Sequence, residues 1–158
     1  MKVTKWYTEH KVKGSIEEVW KFFSHPANLD QLTPKEVNFS IKSISGEGPM
    51  YPGMLVQYQI RPFKWIPVNF FWVAEIKQVQ PPNRFIDEQR YGPFAFWYHE
   101  HAFEAVADGV IIKDILHYRV PLGFLGKLID RLVIRFAIKR IFSTRTDILH
   151  EYFQNLEK

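Results

Sequence analysis

The chain has 158 residues, of which 46% are hydrophobic and 16% aromatic, and it carries a formal net charge of +4 and no cysteine. That length suits one domain spanning 1–158, and the ring supply suits a thick core or an aromatic-lined pocket. Disulfides and thiolate metal sites are excluded, and no stretch approaches the roughly 18 apolar residues of a membrane helix.

Met1 to Trp6 lacks the apolar segment of a signal peptide, so a soluble cytoplasmic protein is expected. Residues 3–12 alternate as a strand. Ser15 and Glu18 form a capping-box pattern ahead of a short helix with Ile16, Val19, Trp20 and Phe23 on one face. His25-Pro26 breaks that helix, and Asn28 to Leu32 reads as a second short one ending at Thr33-Pro34. Strands are expected at 37–44, 54–61, 66–79, 84–90, 94–106 and 110–120, with Gly- and Pro-rich turns between them. The Asp108-Gly109 pair is the strongest hairpin signal. Short connections between consecutive strands imply an antiparallel meander, giving an α+β fold in which a curved sheet surrounds a long C-terminal helix.

The helical pattern begins at Phe124 and carries two stripes. Leu125, Leu128, Ile129, Leu132 and Phe136 form the first; Ile134, Ile138, Ile141, Ile148, Leu149, Tyr152 and Leu156 form the second. Positions 134 and 136 lie about 200° apart on a helix with 3.6 residues per turn. One straight helix cannot bury both stripes. Either the segment bends near 134–137, or the first half turns its apolar side elsewhere: onto a sheet edge, over the cavity mouth, or onto a partner or membrane. The whole excess of positive charge lies between Pro121 and Asp147. A face for nucleic acid would draw cations from several elements, so no nucleic-acid partner is expected. Segment 124–140 is instead a candidate for weak contact with an anionic membrane. Arg145 sits inside the second stripe and needs a partner or a polar exit if buried.

Parity assigns the sheet faces. Glu100 and Glu104 mark the outside of one strand, which turns Trp97, His99, His101 and Phe103 inward. Lys113 and Arg119 mark the outside of the next, which turns Val110, Ile112, Asp114, Leu116, Tyr118 and Val120 inward. With Phe85 inward, Asp87 and Gln89 follow. The result is an apolar inner face crossed by a polar seam of Asp87, Gln89, His99, His101, Asp114 and Tyr118. His99 and His101 beside a carboxylate have the chemistry of a metal site, but no spaced third histidine supports one, and no metal or cofactor is expected. The loop from Gly46 to Gly53 lacks the Gly-Lys-Ser/Thr of a phosphate cradle, and no Ser-centred elbow is present.

The pattern Asp87-x-Gln89, Gly92-Pro93-Phe94, Trp97-x-His99-x-His101-x-Phe103, Asp114 and Tyr118-x-x-Pro121 resembles the bacterial SRPBCC ligand-binding proteins of the START-like superfamily. Pro26-x-Asn28-Leu29-x-x-Leu32-Thr33-Pro34 and Phe142-x-x-Arg145 are similar to the branch fused to sugar-nucleotide-epimerase-like proteins or labelled cell-division inhibitors. The resemblance implies a helix-grip fold with a deep hydrophobic cavity. Ligand contacts are then expected from Asp87, Gln89, Trp97, His99, His101, Phe103, Asp114, Tyr118, Ile141 and Arg145. The function expected is binding of an apolar molecule, neutral or anionic, of lipid or polyketide-like kind. A cofactor-free cyclase or dehydratase and a peripheral membrane or partner-binding protein are the alternatives.

Overall fold

A computed structural model describes residues 3–34, 37–61 and 68–155. The first strand, β1 (Thr4–Val12), alternates half-buried and exposed residues and leads into helix α1 (Ile16–Phe23). The capping box forms as read: the Glu18 amide donates to Ser15 Oγ at 3.3 Å, and the Ser15 amide donates to Glu18 Oε2 at 2.8 Å. A 3-10 turn (Pro26–Asn28) and the single turn α2 (Leu29–Leu32) follow. Next come β2 (Ser40–Ile44), β3 (Leu55–Ile60), β4 (Phe70–Gln80), β5 (Arg84–Tyr91), β6 (Phe96–Val106) and β7 (Gly109–Arg119). The strand expected at 37–44 is thus shorter than read, and Ile66 and Pro67 of the one expected at 66–79 lie outside the described residues.

The seven strands form one antiparallel sheet in the order β1-β7-β6-β5-β4-β3-β2. Chain order is kept except that β1 closes against β7. Helices α1 and α2 therefore carry the chain from one edge of the sheet to the other. The β6–β7 hairpin forms one residue earlier than read: Ala107 and Asp108 make the turn, and Gly109 opens β7 opposite Val106. Gly109 has φ +143°, and a Cβ there would fall 2.1 Å from the Val12 carbonyl oxygen, so β1 packs against the turn only because that residue has no side chain.

The C-terminal helical region is not one straight helix. Helix α3 (Gly123–Ile129) passes through a π turn (Asp130–Ile134) into α4 (Arg135–Asn155). Inward positions recur at Gly126, Asp130, Ile134, Ile138 and Phe142, a spacing of four. An ideal α-helix drifts about 40° over four residues. The wider π turn absorbs part of that drift and keeps these residues on one face. The cost falls on the first stripe: Leu125, Leu128, Leu132 and Phe136 are 53%, 46%, 67% and 68% exposed. They pack on no sheet edge. The buried face of α4 is Ile138, Phe142, Arg145, Leu149 and Phe153, with Ile141, Ile148 and Tyr152 flanking it; Leu156 lies outside the described residues.

Two apolar clusters fill the interior. One joins Val19, Phe22 and Phe23 of α1 to Phe85, Phe103, Ile112, Leu149 and Phe153. The other joins Leu116, Tyr118, Ile138 and Phe142. Tyr118 is fully buried; its hydroxyl donates to Asp130 Oδ1 at 2.6 Å, and Arg135 Nε donates to Asp130 Oδ2 at 3.0 Å. This three-residue link fastens the π turn to β7. Tyr118→Phe strips the buried Asp130 carboxylate of one donor and is expected to lower unfolding free energy by about 1.5–3 kcal/mol. Urea denaturation would register that as a lower midpoint at unchanged slope; an unmoved midpoint would show the link to be dispensable.

Candidate functional site

A cavity of about 180 Å³ lies between the sheet, α1–α2 and α4. Its walls are mostly apolar: Phe22, Phe23, Tyr58, Trp72, Trp97 and Phe142 are among them. The half-exposed lining residues Asn28, Leu29, Thr33, Phe39, Ile60 and Ile141 mark where it opens, between α2, the end of β3 and the first half of α4. At one place the apolar wall is interrupted by Asp87, His99, His101 and Arg145.

This interruption is the level at which the two apolar clusters meet. Along β6 the inward residues run Trp97, His99, His101, Phe103; along β7 they run Leu116, Asp114, Ile112; along α4 they run Phe142, Arg145, Leu149. In each element the polar residues stand between apolar ones, so strand pairing and helix packing bring them into one layer. His101 pairs in register with both Phe85 and Asp114, and His99 with Asp87 and Leu116.

The two imidazoles and two carboxylates interlock. His99 Nε2 lies 3.1 Å from Asp114 Oδ1 and its Nδ1 lies 3.7 Å from Asp87 Oδ2. His101 Nε2 lies 3.1 Å from Asp87 Oδ2, while its Nδ1 sits 2.9 Å from Asp114 Oδ1 but off the line of a hydrogen bond. The ring centroids of the two histidines are 3.8 Å apart, and Phe85 stacks on His101 at 4.2 Å. Behind them Arg145 Nη1 is 3.8 Å from Asp114 Oδ1, and its guanidinium lies over the Phe23 ring at 5.4 Å.

Burial pushes the Asp114 carboxyl up, but the Arg145 guanidinium and both imidazoles outweigh it and hold it well below the usual carboxylate range. For His101 burial acts downward, and contacts with Asp114 and Asp87 overcome it, so the imidazole is raised. His99 is lowered by burial and by its neighbour His101. Two touching imidazoles therefore have their titrations driven apart.

Among the residues read from sequence, Asp87, Trp97, His99, His101, Ile141 and Arg145 line the cavity. Asp114 is fully buried behind the histidines. Three readings are corrected. Gln89 is not in the polar layer: its Nε2 donates to the Phe94 carbonyl at 2.7 Å and its Oε1 accepts from the Phe94 amide at 3.2 Å, pinning the β5–β6 turn. Phe103 lies in the α1 cluster, against Phe23 and Trp20. Tyr118 is committed to Asp130, and Val120 packs beside it, away from the cavity.

Sequence reasoning missed His10, although β1 parity turns Trp6, Thr8 and His10 to the inside. Thr8 stands opposite Asp114 in the β1–β7 register, and the His10 ring approaches His150 of α4 at 6.0 Å. Burial, with Arg145 and His150 opposing a proton, lowers the His10 imidazole to about 4 despite Asp114. Trp72 was missed too; it lines the cavity and its indole N–H meets no acceptor among the described residues. Asp87, His99 and His101 each offer a ligand atom within 4.8 Å of the others, the spacing of a metal set. Both Nε2 atoms already hydrogen-bond a carboxylate oxygen at 3.1 Å, so an ion bound through them would have to displace those contacts.

No family model and no curated protein matches the sequence. Solved structures do match, over nearly the full length. TTHA0849 from Thermus thermophilus is 15% identical, with 98% of this chain and 100% of that one covered, at a TM-score of 0.71. The KanY protein is 10% identical over 98% and 99% of the two chains, at 0.73. Norcoclaurine synthase from Thalictrum flavum is 16% identical over 95% and 86%, at 0.67. Identities this low carry the fold and no more. That fold is the α+β helix grip, a curved antiparallel sheet closed around a long C-terminal helix.

Proposed function

We propose that the protein binds an apolar small molecule in this cavity, with a neutral polar group of the ligand turned toward the Asp87–His99–His101–Arg145 layer. The observation that carries the reading is a ring-lined cavity of about 180 Å³, open at one side, whose mostly apolar wall carries the Asp87–His99–His101–Arg145 group. An apolar cavity of ~150 Å³ is enough for benzene, so the enclosed part suits about one ring or a short acyl segment, with any longer tail leaving by the opening. Lipid-like and polyketide-like compounds both meet that description. The polar layer narrows the head group. Arg145 already stands beside Asp114, and an anion would meet Asp87 as well as Arg145. The Trp72 indole N–H and Arg145 Nε, both without acceptors among the described residues, suit a carbonyl or hydroxyl oxygen.

One observation favours a second reading, a cofactor-free cyclase or dehydratase. Neighbouring imidazoles with titrations driven apart supply an acid beside a base, the arrangement proton transfer needs. Norcoclaurine synthase, in the same fold, has been captured with dopamine and hydroxybenzaldehyde.

An apolar fluorophore such as N-phenyl-1-naphthylamine should bind the protein with enhanced emission. Ile141→Trp, at the half-exposed rim, should weaken that binding at least ten-fold without lowering the melting temperature. Equal binding by both proteins, or none by either, would remove the cavity from the function. Polyketide-like test substrates are expected to survive incubation unchanged; turnover lost in His101→Ala and kept in Lys113→Ala would promote the enzyme reading. The Asp114–Arg145 pair is separately testable. Asp114→Asn leaves Arg145 buried without its anion and should cost about 3–5 kcal/mol at neutral pH. Asp114→Asn with Arg145→Met should recover much of it. Because the folded-state titration of Asp114 is depressed, its stabilisation is complete above the ordinary carboxylate range and is lost as pH falls through the folded value. Acid melts of the wild type should be steeper than those of the double variant; parallel curves would contradict the assignment.

A further inference from the structure

We propose that the face formed by α3, the π turn and the first turn of α4 is a docking surface for an anionic lipid bilayer. Leu122, Phe124, Leu125, Leu128, Leu132 and Phe136 are 66%, 84%, 53%, 46%, 67% and 68% exposed and recur along one side of the segment. At ~1.5 Å per residue the stripe runs about 21 Å. An apolar strip of this length on a folded protein is material for an interface rather than for solvent.

Charge selects the occupant. Lys127, Arg131, Lys139 and Arg140 are all exposed on this segment, and none makes an ion pair among the described residues. The one acid between Pro121 and Thr146, Asp130, is buried and spent on Tyr118 and Arg135. The surface thus presents large apolar side chains with uncompensated cations beside them. A second copy of the chain would bring these cations against one another. A neutral apolar partner would cover the stripe and leave the cations unmatched. A bilayer of anionic lipid matches both at once: leucines and phenylalanines enter the acyl boundary while the basic side chains stay among the phosphates.

The mode is lying on the surface. No helix among the described residues is long and apolar enough to cross a membrane. The backbone supports the geometry independently of propensity. Leu122 holds φ 71°, and Gly126 packs so tightly on the preceding chain that a Cβ would fall 1.8 Å from the Pro121 carbonyl oxygen. Helix α3 is therefore held in a fixed direction at the end of β7, with its apolar side outward. The Tyr118–Asp130–Arg135 link holds the π turn from beneath. Docking by this face does not depend on what the cavity holds.

Vesicle co-sedimentation tests the proposal. At low ionic strength the protein should pellet with phosphatidylglycerol-rich vesicles and stay in the supernatant with pure phosphatidylcholine. Each basic residue near an anionic surface multiplies binding about five-fold, so Lys127→Glu with Arg131→Glu should weaken it more than ten-fold, as should 0.5 M salt through screening (the Debye length falls below about 5 Å). Leu132→Glu with Phe136→Glu should abolish it while the far-UV spectrum and melting temperature hold, since both side chains are exposed. Absent or equal sedimentation with the two vesicle types would overturn the proposal. So would sedimentation that survives the Leu132/Phe136 variant. Concentration-dependent dimerisation lost in that variant, without vesicle binding, would assign the face to a second copy instead.

Discussion

The Arg145–Asp114 pair is the constraint around which the interior is arranged. A guanidinium on the buried face of α4 has to meet an anion, and Asp114 on β7 is the fully buried carboxylate that it meets. That contact sets both the rotation of α4 about its axis and its height along the sheet. Phe142, one turn below, then falls against Leu116 and Tyr118; Leu149, one turn above, falls against Ile112 and the α1 residues. His99 and His101 complete the layer by sharing Asp114 and Asp87. A wholly apolar helix face slides in register at little cost. A single charged layer between two apolar ones does not, because displacement by one turn would leave two carboxylates and a guanidinium buried among aromatics.

The same requirement explains the π turn. With α4 fixed by Arg145, its N-terminal extension follows a set direction from Ile138 back toward the end of β7. Tyr118 and Gly126 demand that Asp130 and the small residue of α3 face inward. A regular helix satisfies one end or the other, and the wider turn lets it satisfy both. The leucine and phenylalanine stripe of 125–136 is then left on the outside. Its exposure follows from the packing of the face beneath it.

Much of this was legible in sequence where one physical rule acted alone. The capping box at Ser15 and Glu18 and the alternation of β6 and β7 are local, and each formed as read; the hairpin turn formed one residue ahead of the Asp108-Gly109 pair. Parity found the polar layer because Glu100, Glu104, Lys113 and Arg119 fixed the outside. It failed where a side chain had a closer claim on it. Gln89 occupies a seam position by count, yet the turn backbone at Phe94 satisfies both ends of its amide. Tyr118 is inward as expected but spent on Asp130, a residue twelve positions on in a segment whose phase was unreadable. Phe103 is inward too, but the α1 rings reach it before the cavity does. Helical spacing placed Ile138, Arg145 and Leu149 on the inward stripe of α4, where they stand. It took Ile141 and Ile148 with them and missed Phe142 and Phe153, because the helix is rotated toward Arg145 and leaves the two isoleucines on its flank. His10 and Thr8 were readable from β1 parity once Asp114 was known to need neighbours.

The interlocked layer also bears on which of the two functional readings the chemistry prefers. A general base works through a ring nitrogen that can reach substrate. His99 and His101 turn all four of their nitrogens toward Asp87 and Asp114 at 2.9–3.7 Å. A substrate atom would have to displace a carboxylate to reach either Nε2, whereas neither Nδ1 makes a hydrogen bond to these carboxylates. Donors without such commitments, the Trp72 indole and Arg145 Nε, are suited to hold a carbonyl or hydroxyl oxygen but not to move a proton at neutral pH. His99 Nδ1, 3.7 Å from Asp87, and His101 Nδ1, close to Asp114 yet poorly aligned with it, are the nitrogens whose partners are held most loosely. Catalysis in this cavity would have to enter through those two nitrogens, whereas a held carbonyl or hydroxyl oxygen would meet donors that no acceptor among the described residues engages.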